Sequence, residues 1–177
     1  MSRHLRSELG DRMDELDIET EPLGAASLGQ VHRARRKSDG RELALKIQYP
    51  GVAAAIDSDL QALVQLLKLT RLVPITEEFN AWLDEVHAML SREVNYHLEL
   101  ATTRHFGEVL ADDPRFRVPE VFPEFSTGSV LCTSFERGVG VSDPRVLALP
   151  QARRNEIGRA IMDICCREVF VWSKMQT

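Results

Sequence analysis

Cysteine is scarce and badly placed for cross-linking. The 177 residues hold three, Cys132, Cys165 and Cys166. An odd count with an adjacent pair builds no disulfide framework, and adjacent cysteines lack the two-residue gap of a zinc knuckle. All three are therefore expected as reduced thiols of an intracellular protein. Long apolar runs are also missing: none approaches the ~20 residues of a membrane span. The N-terminus carries no apolar signal-peptide core, although peripheral membrane contact stays open. Positive charge is not in excess. The 22 Lys and Arg face 27 Asp and Glu, for a net charge of −5, which argues against nucleic acid as the main partner. The two tryptophans, Trp82 and Trp172, fall near apolar helix stripes, where core packing accounts for them.

What is present suffices for a packed core. Hydrophobic residues make up 44% and charged residues 28% of the chain, the balance of a globular protein of one domain or slightly more. Leu5, Leu9, Met13 and Leu16 recur at helical spacing, which predicts a short N-terminal helix within residues 1–20. Residues 22–48 carry strand signals around Lys37-Ser38-Asp39-Gly40, whose Asp-Gly pair marks a hairpin turn. Leu43, Leu45 and Ile47 then alternate with Ala44, Lys46 and Gln48, so Lys46 should point away from the Leu/Ile face. Tyr49-Pro50-Gly51 breaks this strand. A helix follows with Ile56, Leu60, Leu63 and Leu67 in one stripe, ending at Pro74. A longer helix is predicted from about 77 to about 110, with Phe79, Leu83, Val86, Leu90, Val94 and Leu98 on its apolar face. Two strands are predicted at 118–122 and 130–135, then a Gly138/Gly140 connection, a helix start at Ser142-Asp143-Pro144 and a last helix from about Pro150.

Two features carry chemistry. Gly24-Ala25-Ala26-Ser27-Leu28-Gly29 has the Gly-x-x-x-x-Gly spacing of a phosphate loop, but Gln30 and Val31 stand where Lys and Ser or Thr should follow. A tight structural turn fits the spacing as well. Lys46 is the sharper signal, because a lysine on a strand facing inward needs a charge partner. Ala-Leu-Lys after a small-residue loop is close to the Val-Ala-Ile-Lys of kinases, whose lysine meets phosphates and a helix glutamate. A solvent-facing lysine on an edge strand is the plain alternative. Candidate partners are Glu85, Glu93 and Glu99. Glu93 and Glu99 are six apart and cannot share one face of a continuous helix; spacing does not choose between them. Glu93 and His97 are spaced for a shared metal, but no second such pair exists, and His97 reads as a helix-surface residue.

Loop, lysine strand and glutamate helix, in this order, resemble the UbiB/AarF (ADCK) family of atypical kinase-like proteins. The likeness rests on Ala25-Ala26-Ser27-Leu28-Gly29-Gln30-Val31-His32, on residues 44–52 around Lys46, on residues 93–99, on Val118-Pro119-Glu120-Val121 with the Val130-Leu131 strand, and on Met175-Gln176-Thr177. It implies an α+β protein-kinase-like N-lobe, a small antiparallel sheet with two long helices, over residues 21–137. An N-terminal helical segment would occupy 1–20, and 138–177 would begin a C-lobe with its first helix. It further implies ATP or ADP as ligand with Mg2+. Lys46 would hold phosphates and Glu99 would pair with it, while Glu93 would belong to the family's Glu-x-Asp motif. The loop Gly24, Ala25, Ala26, Ser27, Leu28, Gly29 and Gln30 would cover the nucleotide, with Ser134 to Glu136 as the adenine hinge. Family members tend toward ATPase or small-molecule kinase roles, often in quinone (ubiquinone) biosynthesis and often at membranes, so the expected location is cytoplasmic with membrane association.

Three departures qualify this. Gly24 replaces a usual alanine, which loosens the loop. Asn95 replaces the aspartate of Glu-x-Asp. The family's catalytic Asp-Pro segment, metal-binding Asn and Asp-containing magnesium motif would follow Thr177, so weak nucleotide binding is the expectation for these residues alone. A non-catalytic nucleotide-sensing or partner-binding module, and an unrelated α+β interaction protein, are the competing readings. The apolar face of the last helix, with Ile161, Ile164 and Val169, is expected to need a protein partner.

Overall fold

The computed structural model describes residues 2–70 and 76–172. Pro74 and the Met175-Gln176-Thr177 motif lie outside them. The described residues form two compact units, one within 1–112 and 117–135, the other within 113–116 and 136–177.

The first unit is built on a four-stranded antiparallel sheet in the order β1 (Leu16–Ala26), β2 (Gly29–Arg36), β3 (Glu42–Gln48), β4 (Val130–Ser134). The alternation along β3 is obeyed. Leu43, Leu45 and Ile47 are fully buried, and Cys132 and Val130 of β4 and Ala34 of β2 stand beside them on the same face. That face is covered by Leu5 and Leu9 of α1 (Ser2–Leu9), by Leu16, and by Phe122 and Phe125. The N-terminal stripe is thus part of the sheet's core, and it changes form along its length: α1, a 3₁₀ stretch over Gly10–Glu15, then β1 from Leu16. Beginning at Leu16, β1 starts six residues before the expected Pro22. Pro22 is tolerated because β1 is the sheet edge, where a missing N–H breaks no ladder, and the register slips on both sides of it.

The β2–β3 turn closes as the Asp-Gly signal predicts. Gly40 adopts φ +71°, a conformation glycine reaches without strain. The Asp39 carboxylate takes the Arg36 guanidinium at 2.6 and 3.0 Å and the Arg41 N–H at 3.1 Å.

Helices α2 (Val52–Thr70) and α3 (Glu77–Glu93) follow β3. They are joined by His87 and Asp57 at 2.6 Å. Thr76 caps α3 by accepting the Phe79 N–H. The single helix expected over 77–110 is two helices. Asn95 interrupts it: its side-chain oxygen accepts the His97 N–H at 3.1 Å and starts α4 (Tyr96–Val109). A short amide that bonds its own backbone favours caps over helix interiors. The strand expected over 118–122 is reduced to one bridge, Val121 to Thr133. Pro119 brings no N–H to a ladder, and Pro123 ends the run by opening a 3₁₀ turn.

The second unit contains α5 (Pro144–Leu147), capped by Asp143, and α6 (Gln151–Phe170). Residues 113–116 join it through charge. Arg115 bridges Asp113 and Asp163 at 2.6 Å each, and Arg167 reaches both carboxylates. On α6, Ile161, Val169 and Phe170 are exposed and Ile164 is half-buried.

Two glycines of the β1–β2 hairpin differ sharply. A Cβ on Gly29 would overlap the Ile47 carbonyl oxygen and lie 2.9 Å from its carbon, whereas one on Gly24 would meet nothing within 4 Å. Urea denaturation should therefore show Gly29→Ala destabilised by more than ~2 kcal/mol, as for overpacking. Gly24→Ala should be neutral or gain up to ~1 kcal/mol, because alanine restricts the unfolded chain. The Asp113 carboxyl is held down to about 2, first by the Arg115 guanidinium. Its stabilising contribution is therefore complete above the unfolded value of ~4 and lost as pH falls through about 2. Amide exchange in α6 should accelerate over that acid range, and Asp113→Asn should flatten the response.

Candidate functional site

The face of the sheet opposite the core carries Ala44, Lys46 and Gln48 of β3. Val31 of β2 and Leu131 of β4 stand directly across from Lys46, and Arg33 and Thr133 across from Ala44. Arg33 on this face is paired with Glu42, and Lys46 stands directly between Val31 and Leu131. Its ammonium meets both carboxylate oxygens of Glu99, at 2.7 and 2.8 Å, and lies 4.7 Å from the centre of the Tyr96 ring. Glu99 follows Tyr96 by three residues on α4, so the two side chains sit on one helix face, turned to Lys46. Of the two glutamates left open by spacing, Glu99 is the partner, because the break at Asn95 separates the face of α4 from that of α3.

Tyr96 is the packed element of the group, with only 2% of its surface exposed. Burial pushes its phenol up to about 12, with the carboxylates of Glu99 and Glu93 adding to the effect. Glu93 is thus within electrostatic reach of the site. It lies exposed at the end of α3. The Lys46 and Glu99 side chains keep 31% and 39% of their surface exposed. A pair so open to water stabilises by roughly 0.2–1 kcal/mol, too little to explain a lysine at this position through fold stability. Its heads are held, near-neutral as a pair and accessible, in a form an incoming anion can compete for.

Helix α4 is fastened to β3 beside this pair. The Gln48 amide donates to the Val94 carbonyl. The Tyr96 N–H donates to Gly128 O at 3.1 Å, and the Gln48 N–H to Ser129 O at 3.0 Å.

The small-residue loop is the tip of the β1–β2 hairpin, with Ser27 and Leu28 between the paired Ala26 and Gly29. Gly24, Ala25 and Ser27 are exposed. Lys46 pairs with Val31, so the turn lies three to four residues, about 10 Å, further along the strands. Gly29 serves close packing on β3. The Gln30 side chain belongs to the core face, where Oε1 lies 3.4 Å from His32 Nε2, leaving its backbone on the loop side. The hinge residues are divided. The Ser134 N–H donates to Glu120 O and its hydroxyl accepts the Glu120 N–H, at 2.8 and 3.0 Å, while Glu136 belongs to the second unit.

Sequence reasoning singled out Lys46 and Glu99 but missed Tyr96 as the ring beside the ammonium, and Thr133 as part of the same face. The three-residue spacing of Tyr96 and Glu99 carried the first signal, masked by the assumption of a continuous helix.

Comparison with known proteins identifies the family. The family model described as ABC1 atypical kinase-like domain matches residues 1–177. The mitochondrial atypical kinase COQ8B of Rattus norvegicus is 41% identical over 179 residues, covering 100% of this chain and 33% of its own length. The mitochondrial atypical kinase COQ8 of Schizosaccharomyces pombe is 38% identical over 161 residues, covering 91% and 26%. Among solved structures, the complex of Rv3197 with erythromycin from Mycobacterium tuberculosis superposes with a TM-score of 0.72 at 33% identity, covering 89% of this chain and 40% of that one. The chain spans about a quarter to a third of the curated relatives it matches. With its α+β sheet and its loop, lysine strand and glutamate helix in place, the chain belongs to the ABC1 atypical kinase-like family, the UbiB/AarF group.

Proposed function

We propose that these residues form the nucleotide-holding part of an atypical kinase or ATPase, taking ATP or ADP. The observation that carries this reading is the Lys46 ammonium, clamped by both oxygens of Glu99 and still open to solvent. A phosphate chain reaching Lys46 would find a cation already oriented and lose little entropy in ordering it. The base would lie against the face of Val31, Ala44 and Thr133. The stretch Gly24–Ser27 leading into the tip, with no side chain larger than a hydroxymethyl group, allows close approach of phosphate to backbone. Gln30 would act only through its backbone, and Ser134 would stand at the hinge that the family resemblance extends to Glu136. Glu93 would add charge near Tyr96 and not contact the ligand.

Magnesium is the cation such nucleotides carry. Among the described residues no group of three His, Cys, Asp or Glu side chains could hold a metal ion, so no step through magnesium follows from them. What these residues themselves do is bind and orient. A nucleotide-sensing or partner-binding module would use the same lysine and loop and is the second reading. Family membership supports, in either case, a proposed role in quinone biosynthesis. No helix of the described residues is long and apolar enough to cross a membrane; the proposed membrane contact is peripheral. A protein partner would meet the exposed face of α6.

Titration of the chain with ADP in the presence of magnesium tests the first reading. Lys46→Ala removes a charge-assisted bond worth about 1.5–3 kcal/mol, so affinity should fall by roughly 10- to 100-fold. Glu99→Gln should cost less, because it leaves the cation in place. Equal ADP affinity in Lys46→Ala and the unaltered chain would rule out this site.

A further inference from the structure

The turn before β4 makes bonds in four directions, and its chemistry explains why. Thr127 has one hydroxyl proton and two lone pairs, and all are used. The hydroxyl donates to Glu8 Oε2 of α1 at 2.6 Å and accepts the N–H groups of Ser129 and Val130 at 3.3 and 3.2 Å. The Thr127 N–H closes the turn on Val130 O at 2.7 Å. The turn so fixed presents two carbonyls. Gly128 O accepts the Tyr96 N–H, a first-turn donor of α4 with no partner inside its own helix, and Ser129 O accepts the Gln48 N–H. Tyr96 is three residues from Glu99, and Gln48 is two from Lys46. One turn therefore grips both elements whose spacing defines the ion pair.

A threonine that merely caps its own turn would need only the bonds to Ser129 and Val130. The third bond, to a helix 119 residues away in sequence, ties the turn to the covered side of the sheet. The Glu8 carboxyl is held below its usual range, first by this hydroxyl, so the anchor is a charged one.

We propose that Thr127, anchored by Glu8, is a positioning residue that sets the separation of Lys46 and Glu99 by fixing the 127–129 turn between β3 and α4. Its consequence for ligand affinity rests on the nucleotide reading above; its consequence for geometry does not.

Nuclear magnetic resonance on the full chain separates the two. In Thr127→Val the amides of Tyr96 and Gln48 should exchange roughly 10-fold faster, the loss of about one net hydrogen bond, and the Lys46 ammonium signal should broaden. Thr127→Ser should restore both. Exchange at Leu43 and Leu45 in the core strand should change less than at Tyr96 and Gln48. Unchanged Tyr96 and Gln48 amides, or equal acceleration at Leu43 and Leu45, would overturn the proposal; the latter would mean a general loss of stability. Should Thr127→Val fail to fold, Glu8→Ala decides. Faster Tyr96 exchange there supports the anchor, and an unchanged rate overturns it. ADP titration of the same samples should show several-fold weaker affinity in Thr127→Val, restored in Thr127→Ser. An unaltered chain that does not bind ADP would overturn the nucleotide reading while leaving the exchange result intact.

Discussion

The period of two along β3 constrains everything else in the first unit. Burying Leu43, Leu45 and Ile47 leaves no freedom for Lys46, which must emerge on the opposite face. A cation whose cross-strand neighbours are Val31 and Leu131 is costly unless an anion meets it. The fold answers with α4, whose first turn brings the Tyr96 ring under the ammonium and whose next position brings Glu99 onto it. The core of the sheet and the candidate site are thus two consequences of one alternation. A one-residue slip of β3 would lose both together.

Placing α4 is a separate problem, solved by polar groups. The helix does not reach the sheet by simple continuation of α3, because Asn95 stops one helix and starts the next. Its position comes from backbone bonds at its first residue and from the Gln48 amide, each made to a carbonyl at the junction of β3, β4 and α4. Bonds of this kind are directional where apolar packing is not. An ion pair at 2.7–2.8 Å needs that direction.

Much of this was legible in the residues. The alternation of β3, the Asp39-Gly40 turn and the Asp143 cap each follow from local chemistry, and each is present. The choice of Glu99 over Glu93 could not be read from spacing, since spacing assumed one helix from 77 to 110. A single side-chain bond from Asn95 broke that assumption. The N-terminal stripe misled in a similar way. Leu5, Leu9, Met13 and Leu16 have helical spacing, yet Leu16 opens a strand, because tertiary burial against Leu43 and Leu45 satisfies the same apolar side chains in either form. Spacing assigned no packing role to either glycine of the loop. Only the approach of β3 to Gly29 shows that one is there for packing and the other is not.

The energetics of the ion pair bear on what it is for. Both side chains keep about a third of their surface in contact with solvent, and pairs of that kind contribute little to folding. A buried pair would stabilise no better once desolvation is counted, but it would be closed to ligands. The arrangement found here lies between these limits. Tyr96 and the sheet screen one side of the ammonium and raise the strength of its field, while the other side remains open. An anion approaching from solvent meets a cation that has already lost part of its hydration and whose conformational entropy is already spent. Ordering of this sort adds little to the stability of the unliganded fold and favours binding of an anion over binding of none. On the nucleotide reading proposed above, the weakness of the pair as a structural bond is the property that would suit it to a phosphate.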